Sequence, residues 1–223
     1  MKVDYVNHYG DDLSVVNAAR VSFDKHSDSL TPKDEKLIGY LAKHGHTSCF
    51  EHMGATLKLK VPIFIARQIQ RHRTFSYNEI SRRYVDSPPE FFWPDKWRKR
   101  ADNVKQGSSD EEIKEITGWP QYDDPFGQQP LPLVNAQQIL LNTVLPLYNN
   151  MLSSGVAPEQ ARMILPQNMY TEFYMSGNLR AWAHFLALRL DGHAQKEVQD
   201  VAKMVEEMLQ PLFPVSMQAL MSN

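Results

Sequence analysis

Between Arg67 and Tyr84 the chain carries five arginines, one histidine and a single acid, Glu79, although the formal net charge of its 223 residues is only −2. So many rigid guanidinium forks, mixed with hydroxyls and one amide, are the chemistry for gripping phosphates and a planar polar ring. Basic runs are most often no more than a solvated face. Here, however, the basic residues are interleaved with Ser76, Asn78, Glu79 and Ser81, a polar diversity for which a solvated face has no use.

Around this run the pattern mixes helices and strands. Residues 2–8 read as a first strand. Asp12 is placed to cap a helix over 13–23, with Val15, Val16, Ala19 and Phe23 as its apolar stripe. Thr31 and Pro32 open a second helix over 33–44, with Leu37, Ile38, Tyr40 and Leu41 facing inward. Residues 55–61 alternate polar and apolar, as a strand with one wet face does. Pro62 suits the first position of a helix running to about Arg71, on which Arg67 and Arg71 share a face. Residues 86–132 hold seven of the fourteen prolines and three of the four tryptophans. Phe91, Phe92, Trp93, Trp97 and Trp119 mark them as an ordered loop insertion packed on the body. A long helix over 135–152, kinked at Pro146, follows, then a short helix from 157 to 166, a strand over 169–175 and helices over 178–190 and 194–209. There is neither βαβ alternation nor a clean linker. The expectation is a single α+β domain over 1–223, an antiparallel sheet packed with several helices.

Size and composition restrict the function classes. The length fits one good core. Near-neutral charge and a pI of about 6.4 argue against a general nucleic-acid binder, which needs a basic face. No apolar run approaches the roughly 20 residues that span a bilayer, so no membrane partner is expected. The segment Met1 to Tyr5 has no apolar signal core, and Cys49 is the only cysteine, so a cytoplasmic protein without disulfides is expected.

A second cluster lies towards the C-terminus. Arg180 and His184, four apart, point the same way on their helix. Arg189 points the other way, on the side of Trp182, Phe185 and Leu186. A guanidinium on an apolar face needs an anionic or strongly accepting partner, although a place near the helix end also lets it reach water and favour the dipole.

Arg71-His72-Arg73, Ser76, Asn78-Glu79, Ser81 and Arg83 match every fixed position of RHRxxSxNExSxR, the thirteen-residue signature of the flavin-dependent thymidylate synthases. The chain resembles that family in three further blocks. These are Gly45-His46-Thr47-Ser48-Cys49-Phe50-Glu51-His52, Ala161-Arg162-Met163-Ile164-Leu165-Pro166, and Gly177-Asn178-Leu179-Arg180 with His184 to Arg189. The agreement extends from about residue 16 to about residue 200. Two departures touch no motif residue. Cys49 stands where proline or another small residue is common, and the 86–132 insertion is longer than in the shortest members.

The resemblance implies reductive methylation of dUMP to dTMP, with 5,10-methylenetetrahydrofolate as carbon donor and FAD, reduced by NADPH, as hydride source. It implies dUMP contacts from Gln68, Arg71, Glu79, Ser81, Arg82, Arg83, Arg162 and Arg189. FAD contacts would come from His46, Ser48, Glu51, Arg71, His72, Arg73, Thr74, Asn178, Arg180 and His184. Arg189 would be catalytic, stabilising charge that grows at N3 and O2 of the uracil. The family's assembly is a homotetramer with FAD between subunits, and no metal is expected. Cys49 lies in the flavin-facing block and is not assigned as a nucleophile. No G-x-G-x-x-G is present, so FAD is not held in a Rossmann manner. Two other classes compete: a zinc hydrolase built on His44, His46, Cys49 and His52, and a non-catalytic nucleotide- or RNA-binding module built on the arginines of 67–83. The second leaves Arg189 and the His46 block without a role.

Overall fold

The computed structural model describes residues 1–85, 87–102, 107–116 and 131–222. In chain order its elements are β1 (Lys2–Tyr9), α1 (Asp12–Arg20), α2 (Pro32–Lys43), β2 (Gly54–Pro62), α3 (Ile63–Ile69), β3 (Ser76–Glu79), β4 (Arg98–Arg100), β5 (Ser108–Glu112), β6 (Glu115–Ile116), β7 (Leu131–Pro132), α4 (Ala136–Ile139), α5 (Leu145–Ser153), α6 (Pro158–Ala161), β8 (Tyr170–Asn178), α7 (Leu179–Arg189), α8 (Lys196–Leu209) and α9 (Pro214–Met221). They form two compact units, Met1–Glu79 with Thr171–Asn223, and Ile80–Tyr170. The class is α+β, as the sequence implies.

The first unit is built on a four-stranded sheet in the order β1-β2-β8-β3, with antiparallel β1/β2 and β3/β8 pairs. The alternation in β2 sends Ala55, Leu57, Leu59 and Val61 into the core and Thr56, Lys58 and Lys60 to the wetter face. On that face Glu172 of β8 lies 2.6 Å from Lys58 and 3.8 Å from Lys60, and Thr56 and Ser176 join hydroxyls at 2.8 Å. The inner face is covered by helices. α8 presents Val198, Val201, Ala202, Val205 and Leu209 at helical spacing, all buried. α7 buries Leu179, Ala181, Trp182, Ala183, Phe185 and Leu186. The Trp182 indole is fully enclosed and donates its N–H to the Ala55 carbonyl at 3.1 Å, so this large ring is buried without an orphaned donor.

Several local expectations are corrected. Asp11, not Asp12, caps α1, accepting from Ser14 N–H at 2.9 Å. Asp12 is buried and takes the Val215 and Ser216 N–H groups at 2.9 Å each, so it caps the first turn of α9. α1 stops at Arg20 and Phe23 is 74% exposed, not part of an apolar stripe. Tyr40 on α2 is 54% exposed, although the Thr31/Asp34 capping box starts that helix where the sequence places it. α3 ends at Ile69, so Arg71 is not on it and shares no helical face with Arg67. The Ile69 carbonyl is taken by His72 N–H at 3.0 Å and by the Tyr77 hydroxyl at 3.2 Å, which replaces the bond a further helical turn needs.

In the second unit, β4 and β5 pair antiparallel, as do β6 and β7, and Phe91 forms an isolated bridge with Met169. The 86–132 segment therefore contains short strands and not loop alone. Trp93 and Trp97 line a cavity of about 420 Å³ with Ile113 and Leu133, whereas Trp119 lies outside the described residues. The long helix is interrupted over Leu140–Val144, just before Pro146, by a π turn in which Leu145 N–H donates to the Leu140 carbonyl. Pro146 offers no N–H to the carbonyl four residues back, and the ladder widens there.

Candidate functional site

The arginine-rich motif begins in a turn. Between α3 and β3, residues 70–75 leave the helix, and Arg71, Arg73 and Thr74 are exposed while His72 and Phe75 are buried. The aromatic pair Phe75 and Tyr77, at variable positions of the signature, holds this alternation in place. The Phe75 ring packs on Trp182 at 4.6 Å between centroids and against the bare Cα of Gly177, where a Cβ would lie 2.4 Å from the ring. The Tyr77 hydroxyl is shared between the carbonyls of His72, at 2.9 Å, and Ile69. Burial pushes that phenol up to about 12, so it remains a donor. Neither residue is fixed by the signature; their signal in the sequence is the spacing of two, which puts them on one face of an extended segment.

His72 and Arg189 meet inside this unit. Arg189 Nε–H donates to His72 Nε2 at 3.0 Å, and Arg189 Nη2 donates to the Gln68 carbonyl at 2.8 Å. The His72 ring lies edge-on to Phe185 at 5.0 Å and to His184 at 5.9 Å. Its pKa falls to about 4, because burial disfavours the charged ring and because Arg189 and His184 add positive potential. Burial also lowers the pKa of Arg189, yet a guanidinium remains charged at any working pH. Arg189 thus meets the ring that packs on Phe185, one of the apolar residues whose side of the helix the spacing gives it. Gln68 is fixed in turn, its side-chain amide donating to Gln195 and Gln195 donating to Glu197 at 2.9 Å.

The other assigned positions of the first unit gather in two more groups. Glu51, in the 3-10 turn Thr47–Glu51 that follows His46, is ion-paired with Arg180 at 2.5 Å, which joins the His46 block to the start of α7. Asn178 caps α7, accepting from Ala181 N–H at 2.9 Å. His46 and Ser48 are exposed, and the His46 ring stacks on Tyr40 at 6.1 Å. His184 is exposed on the same helix. Glu79 accepts from Thr171 at 2.6 Å and from Gln70 at 3.1 Å. Among the described residues Arg71 and Arg73 make no ion pair.

Ser81, Arg82, Arg83 and Arg162 belong to the second unit. There Arg83 pairs with Glu159 at 3.3 Å, and Arg162 donates to the Glu159 carbonyl at 3.4 Å, so two cations converge on one residue. Ser81 Oγ accepts from Arg83 N–H, and the Arg82 guanidinium binds the Ser87 and Pro88 carbonyls. Among the described residues no three His, Cys, Asp or Glu side chains are grouped to hold a metal ion, so the zinc alternative finds no such cluster. No helix among them is long and apolar enough to cross a membrane.

Comparisons with known proteins identify the family. The family model described as thymidylate synthase complementing protein matches residues 4–215. A flavin-dependent thymidylate synthase of Thermosipho africanus is 39% identical over 220 residues, covering 97% of this chain and 89% of its own. One of Thermus thermophilus is also 39% identical, over 96% of this chain and 73% of its own. Among solved structures, the UMP/dUMP methylase PolB of Streptomyces cacaoi bound with 5-Br UMP superposes with a TM-score of 0.79 at 32% identity, over 99% of this chain and 94% of that one. A guanidinium held on one edge, a turn of exposed arginines and the full signature thus occur in a chain with these relatives, and the chain belongs to the flavin-dependent thymidylate synthase family.

Proposed function

We propose that this protein methylates dUMP to dTMP, taking the carbon from 5,10-methylenetetrahydrofolate. The observation that carries the reading is the state of Arg189. Nε–H and one Nη2 hydrogen are spent on His72 and Gln68, which occupies one edge of the planar group. The opposite edge, Nη1 with the second Nη2 hydrogen, is the fork that O2 of a uracil ring, joined by N3 as negative charge grows there, can fill. A cation fixed there stabilises charge growing on the base as its C5 becomes nucleophilic, and it is oriented before the reaction begins. Ser81, Arg82, Arg83 and Arg162 would hold the nucleotide phosphate.

The residues present fit FAD. Exposed Arg71 and Arg73, without acid partners among the described residues, and Arg180 on the first turn of α7 are the donors a pyrophosphate needs, and Asn178 with His46, Ser48, Glu51, Thr74 and His184 completes the set; His72, which the family likeness adds to it, is buried and bonded to Arg189 instead. When bound and reduced by NADPH, FAD supplies the hydride. That one family model spans both compact units supports reading them as one catalytic domain. We extend the reading to a homotetramer with FAD at subunit interfaces, in the cytoplasm, which agrees with a lone free cysteine.

The test is an absorbance spectrum for bound flavin, followed by tritium release from C5-labelled dUMP with NADPH and methylenetetrahydrofolate. The expected result is flavin-dependent release with dTMP formed in equal amount. Release without flavin, or none with flavin bound, refutes the reading. UMP is run in parallel because the Streptomyces neighbour is described as a UMP/dUMP methylase.

A further inference from the structure

We propose that His72, as a neutral imidazole, is the positioning residue for Arg189: its Nε2 accepts the Arg189 Nε–H and so fixes which edge of the guanidinium is left for the pyrimidine. The inference rests on the role of Arg189 argued above and goes beyond it by naming the group that aims the arginine.

Three observations carry it. The bond is well formed, at 3.0 Å from ring nitrogen to Nε, and it acts together with the 2.8 Å bond from Nη2 to the Gln68 carbonyl. Two acceptors on adjacent nitrogens fix a planar group against rotation, which neither does alone. The ring itself is held: it is 7% exposed, its carbonyl is fastened by Tyr77, and Phe185 packs against it edge-on. The chemistry then dictates the tautomer. Since Nε2 accepts, the proton sits on Nδ1. A protonated ring would present N–H to N–H and one cation to another. The depressed pKa is consistent with a ring that stays neutral through the working range, and Arg189 and His184 are the charged and titratable groups that act on it.

A hydrogen bond between two side chains 117 residues apart also serves packing, so the test must separate positioning from stability. His72→Leu removes the acceptor and His72→Gln restores one at similar reach. Turnover at saturating dUMP should fall by about 10–100-fold in His72→Leu, with flavin content and the rate of flavin reduction by NADPH close to wild type, and His72→Gln should recover most of the loss. Adding His72→Leu to Arg189→Lys, which lacks the planar fork, should cost little more. If His72→Leu loses flavin while turnover per bound flavin is normal, His72 is a cofactor residue and the proposal falls.

Nitrogen-15 NMR of histidine-labelled wild type, with the His72 signal assigned from its loss in His72→Gln, judges the pairing without relying on any variant's activity. Nε2 unprotonated and Nδ1 protonated from pH 7 to pH 5 supports it. A proton on Nε2, or an ordinary titration near 6.5, overturns it. A wild type that makes no dTMP would sink the functional reading, whereas the tautomer judges the His72–Arg189 bond independently.

Discussion

Gly177→Ala is a one-methyl perturbation whose cost follows from the contacts around it. A Cβ built on Gly177 would lie 2.4 Å and 2.5 Å from two carbons of the Phe75 ring. Comfortable carbon–carbon separation is about 3.5–4.0 Å, so the ring must retreat by at least ~1 Å. It has little room, because Phe75 is 7% exposed and lies against Trp182 at 4.6 Å, with Phe185 and Tyr77 beyond. Replacing glycine with alanine normally gains about 0.4–1 kcal/mol through the unfolded chain where the backbone permits it. Overpacking of a tight core costs about 1–3 kcal/mol. The clash wins, and the net expectation is a loss of about 1–2 kcal/mol, or roughly 2–8 °C in Tm for a chain of this size. Urea and thermal denaturation of wild type, Gly177→Ala, Phe75→Leu and the double variant measure it. Phe75→Leu vacates the space, so the double variant should be more stable than the sum of the two singles predicts by about 1 kcal/mol. Because Phe75 anchors the turn bearing Arg71 to Thr74, flavin affinity should fall alongside stability in Gly177→Ala alone. A Gly177→Ala protein as stable as wild type, or strictly additive variants, refutes the argument.

Two further outcomes are expected. The pKa of His72 is lowered on folding from 6.5 to about 4, so above pH 6.5 it contributes nothing to the pH dependence. As pH falls from 6.5 towards 4 the unfolded ring takes a proton that the folded ring refuses, and stability is lost by up to about 2 kcal/mol at pH 4.5. His72→Gln should flatten that part of the stability–pH profile, and an unchanged slope would show that His72 does not stay neutral on folding. Arg83→Ala breaks an exposed pair with Glu159, whose side chains are 48% and 56% exposed, and should shift stability by less than about 0.5 kcal/mol. Its effect should appear instead as a 10- to 100-fold rise in the dUMP concentration needed, the size of a lost charge-assisted bond, with kcat largely recovered at saturation. A loss of kcat that saturating dUMP does not restore would contradict the phosphate assignment.

What could be read from the sequence divides along a physical line. Signals within one turn or one strand were legible: the Thr31 capping box of α2, the alternation of Leu57, Leu59 and Val61 in β2, and the helical spacing that put Arg189 with Trp182 and Phe185. Features set by distant partners were not. β3 is only four residues long, and Tyr77 is its one aromatic side chain beside Ser76, Asn78 and Glu79; it is a strand because Ser76 to Glu79 pair with Ser176 to Phe173 of β8. Asp12 is the first residue of α1, yet its side chain serves the helix beginning at Pro214, bonding Val215 across 203 residues of chain. The site shows the same division. Residue types suited to phosphate and base stand openly between Arg71 and Arg83, but their disposition depends on side chains of no evident chemical purpose. Phe75 needs the missing Cβ of Gly177, and Tyr77 needs the carbonyl of His72. His72, which in the sequence is one more cation-capable residue in a basic run, is by burial a neutral acceptor. That inversion matters for the chemistry. A run that looks like accumulated positive charge contains, at its centre, the ring that accepts from Arg189 Nε–H and, with the Gln68 carbonyl, occupies one edge of that guanidinium.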